Sequence, residues 1–279
     1  MTQSVHLERV RRVRTDGGLL PVDTTEEEAL LSDAVGPGGP VIYWMSRDQR
    51  AVDNWALLFA REVASQKAVP LFVVFNLVPQ FLEATERQFH FLLHGLAETE
   101  AALRAQNIPF YLLRGTPFNT VPLFTQMRNA SALVTDFSPL RTPRDWVTKV
   151  AGRIGNVPMY QVDAHNVVPV WAASDKQEYA ARTLRPKIRK LTNKFLVEFP
   201  PLEPNSPLLV DELPPETDWK AADRSLQIDR TLPPVDWLTP GTSAGMQLLS
   251  EFCASKLKKY RGVRNNPSVD GLSNLSPYF

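Results

Sequence analysis

The sequence predicts an α/β protein: a doubly wound parallel five-stranded sheet, then a long connector, then a short last piece that looks like a beginning. Three observations predict it. From residue 41 onward, short apolar runs alternate with stretches of helical spacing. The runs are apolar throughout rather than alternating, the pattern of strands buried on both faces by covering helices. A stretch dense in proline between Pro200 and Pro240 then separates this alternation from residues 243–279, which are too few to bury a core of their own.

Residues 1–40 carry little periodic apolar pattern and close with Gly36-Pro37-Gly38-Gly39-Pro40. They read as an unstructured leader whose basic patch, Val10-Arg11-Arg12-Val13-Arg14, is solvated. Residues 41–171 form the α/β domain. Its five runs are Val41-Ile42-Tyr43-Trp44, Leu71-Phe72-Val73-Val74-Phe75, Phe110-Tyr111-Leu112-Leu113, Ala132-Leu133-Val134-Thr135 and Met159-Tyr160-Gln161-Val162. Between them Trp55, Leu58, Phe59 and Val63, then Phe89, Leu92, Leu93 and Leu96, then Trp146, Val147, Val150 and Ile154 recur at intervals that line one helical face. Residues 172–242 are the connector, first charged and helical through Tyr179, Arg182, Arg185, Lys187, Arg189 and Lys190, then proline-rich. Residues 243–279 hold one helix and a turn-rich tail, and look like a beginning.

Composition narrows the function classes. Of 279 residues, 43% are hydrophobic and 22% charged, as in a folded protein. With 31 Lys+Arg against 30 Asp+Glu the net charge is +1, so any binding to nucleic acid must come from a local patch. The single Cys253 excludes an internal disulfide and a Cys-rich zinc site, and points to a reducing compartment. No apolar run follows the early arginines, and no 18 consecutive residues are apolar, so the expectation is a cytoplasmic protein without a membrane partner.

A doubly wound sheet invites nucleotide readings, but their fingerprints are missing. The turn Met45-Ser46-Arg47-Asp48-Gln49-Arg50 lacks the glycines that let a backbone approach a pyrophosphate, and no phosphate-loop motif occurs. His90 and His94 stand at i, i+4 without an intervening Glu or a third ligand at metal spacing, and read as a helix face with no metal. Ser46 and Gln49 have the spacing of a capping box for a helix that follows directly. Arg47, Asp48 and Arg50 then fall at the carboxyl end of the first strand, where open parallel sheets bind ligands, so a cap alone and a cap with a binding role both stay open. Asp136, Ser138 and Arg141 after the fourth strand, and Asp163, His165 and Asn166 after the fifth, converge on the same edge. No nucleophile and base pair among them by spacing, which leaves a crevice without a reaction and no assignable catalytic residue.

Several longer strings are more specific: Y-W-M-S-R-D-Q-R (43–50), D-N-W-A-L-L (53–58), T-D-F-S-P-L-R (135–141), V-D-A-H-N-V-V-P (162–169), E-Y-A-A-R-T-L-R-P (178–186) and L-S-N-L-S-P-Y (272–278). In this order they resemble the class II cyclobutane pyrimidine dimer photolyases, from about Gly39 to the last residue. The resemblance implies an α/β antenna domain, a connector and an all-helical domain that binds FAD and ultraviolet-damaged DNA. It implies a carbon-carbon lyase: photoexcited reduced FAD passes an electron to a pyrimidine dimer flipped out of the duplex, the cyclobutane ring opens, and the electron returns. It also implies a deazaflavin antenna in the strand-end crevice, where topology puts Trp44, Met45, Arg47 and Asp48.

For FAD, Tyr260 resembles the family tyrosine that begins the flavin site, and Leu272, Ser273, Asn274, Leu275 and Ser276 match the segment that wraps the diphosphate. Serine hydroxyls and turn N–H groups are fitting donors for that anion. Leu272 stands where the wider family often has a Thr, which removes one hydroxyl contact. Arg264 matches a basic position that contacts DNA, within the run Lys256, Lys258, Lys259, Arg261, Arg264. The sequence given stops where the family continues into the bulk of its helical domain. The expectation is therefore a chain that neither holds FAD tightly nor repairs DNA by itself, with a second chain as one source of the remainder. The alternatives are a non-catalytic antenna-chromophore-binding module, an inactive truncated photolyase, and an unrelated nucleotide-binding α/β protein.

Overall fold

The computed structural model describes residues 5–22, 38–207, 209–210 and 212–278. Its sheet contains β1 Val10–Val13, β2 Leu19–Pro21, β3 Val41–Met45, β4 Leu71–Leu77, β5 Phe110–Arg114, β6 Ala132–Asp136 and β7 Met159–Val162. The strand order is β2-β1-β7-β6-β3-β4-β5. The last five strands in sequence are the predicted ones, and all pair in parallel. The crossovers are α1 Trp55–Gln66, α2 Glu86–Ala105, α3 Pro117–Met127 and α4 Arg141–Ala151.

The parallel strands read as unbroken apolar runs because helices cover both faces. Ile42, Trp44, Val74, Leu133 and Met159 pack in one cluster with Val121 of α3 and Val147, Val150 and Ala151 of α4. The alternate residues of β3, Val41, Tyr43 and Met45, are equally buried and face the side of α1. Phe59 of α1 meets Tyr160 of β7 edge-on at 5.9 Å. Two backbone details hold this layering. Pro122 inside α3 gives no N–H to the carbonyl of Phe118, and Arg153 Nη1 donates to that carbonyl instead, at 2.8 Å. At the entrance to β3, a Cβ on Gly39 would lie 2.1 Å from the carbonyl oxygen of Asn129, so this approach admits only glycine.

The expected leader is not one where the structure describes it. β1 pairs antiparallel with β7, with Arg12 opposite Tyr160, and β2 extends the edge, so the sheet is mixed and has seven strands rather than five. Arg9, just before the supposedly solvated basic patch, is 1% exposed. The edge strand escaped sequence reading because its middle residues are both arginines, with the buried valines at its ends. Residues 23–37, including Gly36 and Pro37, lie outside the described residues.

The proline-rich connector is also more than a linker. Asn205, 1% exposed, donates to the carbonyls of Leu71 and Asn107 at 2.9 and 3.0 Å and accepts from the N–H of Leu71 at 3.0 Å. Arg61 binds the carbonyls of Glu203 and Pro204, and Phe199 stacks on Trp55 at 4.2 Å. Asn205→Ala leaves the buried N–H and carbonyl of Leu71 and the half-buried carbonyl of Asn107 without this partner and is expected to cost about 2–3 kcal/mol. Faster amide exchange at Leu71 and new protease cuts near residues 199–214 are the readout, and unchanged exchange there would refute it.

The chain divides into two compact units, Met1–Pro79 with Ala102–Thr217, and Gln80–Ala101 with Asp218–Phe279. The first also holds α5 Val170–Ala173 and α6 Ala181–Phe195. The second combines most of α2 with α7 Trp219–Arg224, α8 Thr242–Glu251, a π-helical turn Phe252–Lys256 and α9 Leu257–Val263. Glu98 of α2 accepts from the N–H and hydroxyl of Ser243 at 2.8 and 2.7 Å, seating the start of α8. The tail is anchored too: the Tyr278 hydroxyl donates to the carbonyl of Thr239 at 2.5 Å and its ring meets Phe91 at 5.2 Å. Among the described residues no helix is long and apolar enough to cross a membrane.

Candidate functional site

At the carboxyl edge of the parallel strands the polar residues converge around one carboxylate. Asp136 ends β6, is 2% exposed, and takes four hydrogen bonds from β3 and the turn after it. The Tyr43 hydroxyl and the N–H groups of Ser46 and Asp48 donate to Oδ2 at 2.9, 3.0 and 3.2 Å, and the N–H of Arg47 donates to Oδ1 at 2.8 Å. Burial and the neighbouring Asp48 carboxylate push the Asp136 pKa up to about 6, against the opposing pull of those donors. Burial, with Asp136 next, raises the Tyr43 hydroxyl well above its usual range, so it remains a donor.

The capping box does not form. α1 begins at Trp55, where Asn54 caps it through Oδ1, accepting from the N–H groups of Ala56 and Leu57. Gln49 reaches back to the carbonyl of Ser46, but Asp53 has φ 50°, so the chain turns once more before the helix starts. Asn54 also donates to the Tyr43 hydroxyl and to the carbonyls of Asp48 and Arg50. It thereby joins the cap to the crevice floor. Asn54 was legible as an N-cap immediately before an apolar helical run. Nothing local in the sequence marks Tyr43 as the buried donor to Asp136.

Of the four antenna residues placed by topology, Trp44 and Met45 are core residues at 3% and 0% exposure, because a central strand buries both its faces. Asp48 is fully buried as well. Its Oδ1 accepts from Arg50 at 3.1 Å and lies 3.4 Å from His165 Nδ1, and its Oδ2 is buried without a hydrogen-bond partner. Arg47 alone of the four is partly exposed, beside the partly exposed Arg50 and His165. Asp163 and Asn166 close a separate turn through the Asp163 carboxylate, which also accepts from the N–H of Val170 at 2.8 Å. Ser138 is buried and accepts from the N–H of Leu140. Arg141 is exposed, on a groove of about 470 Å³ shared with Arg144, Thr148 and Gln161.

In the second unit, Gly271 packs beneath Val263 of α9 and Lys256 pairs with Asp270 at 2.6 Å. Tyr260 is half-buried, edge-on to Phe252 at 5.6 Å, with the Arg264 guanidinium 5.9 Å from its ring. The Ser273 hydroxyl accepts from the N–H of Leu275, and Asn274 turns the chain at φ 55°. Leu272, Asn274 and Ser276 are exposed. Lys258, Lys259, Arg261 and Arg264 are exposed as well, whereas Lys256 is spent on Asp270, so the basic run is not wholly uncompensated. His90 and His94 lie with ring centres 4.0 Å apart and planes tilted by 36°, and line a groove of about 370 Å³ with Glu86, Trp219, Asp223 and Arg224. Burial, with His94 next, lowers the His90 pKa. Among the described residues no three His, Cys, Asp or Glu side chains group as metal ligands.

The family model described as DNA photolyase matches residues 41–206, more than half of the sequence. The chain belongs to the DNA photolyase family. Over 239 residues it is 46% identical to the deoxyribodipyrimidine photo-lyase of Potorous tridactylus, covering 85% of this chain and 45% of that protein. Its fold is that of a bacterial class III photolyase from Agrobacterium tumefaciens, with TM-score 0.65, 21% identity, and coverage of 86% of this chain and 50% of the other. An archaeal photolyase from Sulfolobus tokodaii, solved with two FAD molecules, matches at TM-score 0.61 and 16% identity, over 86% of this chain and 51% of its own. This photolyase chain thus spans about half the length of the relatives it matches. Family membership removes the unrelated nucleotide-binding α/β alternative.

Proposed function

We propose that this photolyase chain serves light-driven repair of cyclobutane pyrimidine dimers in DNA, contributing the antenna unit and the opening part of the flavin and DNA site. The observation that carries this reading is the 46% identity, over 85% of the chain, with a protein named for that reaction. Reduced FAD, when bound, supplies the photoexcited electron that opens the dimer. Tyr260 offers it a half-buried aromatic face, and Ser273, Asn274 and Ser276 offer hydroxyl, amide and turn N–H donors for its diphosphate, with Leu272 and Leu275 contributing backbone. Arg264, with Lys258, Lys259 and Arg261, suits DNA phosphates. A deazaflavin antenna would meet Arg47 at the crevice rim, with Trp44, Met45 and Asp48 supporting it from beneath.

These residues enclose only one side of a flavin, whereas tight small-molecule sites bury most of their ligand. The remaining envelope belongs to the half of the relatives that this chain does not span, joined in one polypeptide or supplied by a second chain. The 279-residue chain titrated with FAD is therefore expected to quench flavin fluorescence only at micromolar concentrations or above, more weakly still as Tyr260→Ala. Stoichiometric FAD in the purified chain would contradict this. The repair reading is tested by joining the chain to the part of the Potorous protein that it does not match. In photolyase-deficient cells the chimaera should restore light-dependent survival after ultraviolet exposure. A folded, flavin-bound chimaera without photoreactivation would favour the non-catalytic antenna reading.

A further inference from the structure

The helix α6 carries six basic side chains and no acidic one in 15 residues, in a chain whose net charge is only +1. With 3.6 residues per turn, Leu184, Ile188, Leu191 and Phe195 form one stripe, and Phe195 is 2% exposed. Arg182, Arg185 and Arg189 fall within an arc of about 60°, centred about 120° around the helix from that stripe. All three are exposed. Lysines lie on the flank, and two of them turn to the protein: Lys187 binds Glu178 at 2.5 Å, and Lys194 binds Glu8. The cations that face carboxylates are thus sorted from those that face solvent. Along the axis the three guanidiniums span about 10 Å, at 1.5 Å per residue. Tyr179, two residues before the helix, is 89% exposed, an aromatic hydroxyl free to reach a phosphate.

We propose that this face of α6, Arg182, Arg185 and Arg189 with Tyr179, is a phosphate-binding surface that contacts the backbone of duplex DNA. It lies outside the flavin-proximal basic run of α9. The proposal rests on the DNA-repair reading only for the choice of polyanion. An acidic membrane is the poorer partner, because helices that lie on membranes bury the whole apolar stripe in lipid, whereas here Phe195 is buried and Leu184 and Leu191 half-buried in the protein, leaving Ile188 of that stripe exposed. An acidic protein is poorer too, because the arginine face lacks the apolar centre such interfaces require. Three planar guanidiniums in line, without base-reading partners, suit sequence-independent phosphate contact.

The test is the salt dependence of binding to an undamaged fluorescent DNA duplex, using the full chain and its Arg182→Gln/Arg185→Gln/Arg189→Gln variant. Each phosphate contact contributes about 0.9 to the log–log slope, so three contacts make the wild type lose roughly 40-fold more affinity than the variant between 50 and 200 mM salt. A Lys187→Gln/Lys194→Gln variant should keep the wild-type slope, since those lysines already have partners. Equal slopes for the wild type and a folded triple variant would overturn the proposal. So would a loss confined to phosphatidylserine vesicles or to an acidic peptide. If Lys258→Gln/Lys259→Gln abolishes duplex binding while the arginine variant keeps the wild-type slope, α6 is not the surface and the repair reading stands.

Discussion

Replacing Asp136 by Ala is expected to destabilise the α/β unit by about 3–5 kcal/mol. The substitution strands four donors, the Tyr43 hydroxyl and the N–H groups of Ser46, Arg47 and Asp48, around a buried void. Each unsatisfied buried donor costs about 1–3 kcal/mol; relief of the repulsion from Asp48 and water reaching the partly exposed Ser46 and Arg47 return some of it. Urea unfolding followed by the fluorescence of the buried Trp44 and Trp55 gives the value, and a change under 0.5 kcal/mol would show that the network does not hold the turn. Asp136→Asn retains one acceptor oxygen and should cost less.

The same residue predicts a pH dependence. A carboxyl raised from 3.8 to about 6 binds its proton more readily folded than unfolded, so stability should rise as pH falls from above 6 towards 4. The full extent is about 3 kcal/mol, at 1.36 kcal/mol per pKa unit. Comparison with Asp136→Asn isolates this effect from other titrations, including that of His90, whose lowered pKa acts in the opposite sense below its usual range. If the two proteins show parallel stability curves between pH 7 and 4.5, the Asp136 carboxyl does not titrate as described.

Arg9→Ala should be comparably severe, about 3–5 kcal/mol, or roughly 10 °C in Tm. The Arg9 guanidinium donates to the carbonyls of Asp163, Asn166, Val167 and Phe195, and lies 5.2 and 5.3 Å from the ring centres of Trp55 and Phe195. Burial lowers its pKa to about 10, so it stays charged at neutral pH. One side chain thus ties the edge of the sheet to the loop after β7 and to the end of α6. Arg9→Lys should recover little, because an ammonium cannot present the same planar fork. The local readout is amide exchange at residues 10–13. Protection there unchanged in Arg9→Ala would mean that β1 holds its place through its pairing with β7 alone.

The five parallel strands and their crossovers were legible because burial on both faces leaves a one-dimensional mark, an unbroken apolar run followed by a helical period. The family was legible because its strings are long and in order. The site was half legible. The strand-end topology gathers Asp48, Arg50, Asp136 and His165 at one edge, as the spacing suggested, but Trp44 and Met45 belong to the core.

What the sequence by itself determined is the layered α/β architecture, its family, and the local character of any DNA-binding charge. What only the tertiary structure decided is which polar residues lie inside. Arg9 reads as one more cation of a basic leader, Asn205 as one polar residue in a proline-rich connector, and Asp136 as a polar strand end. Each is buried because partners distant in the chain satisfy it: Arg9 by carbonyls 154 to 186 residues away, Asn205 by Leu71 at 134, Asp136 by Ser46 at 90. A buried polar group is tolerated only where those partners converge, and that convergence has no local sequence signature.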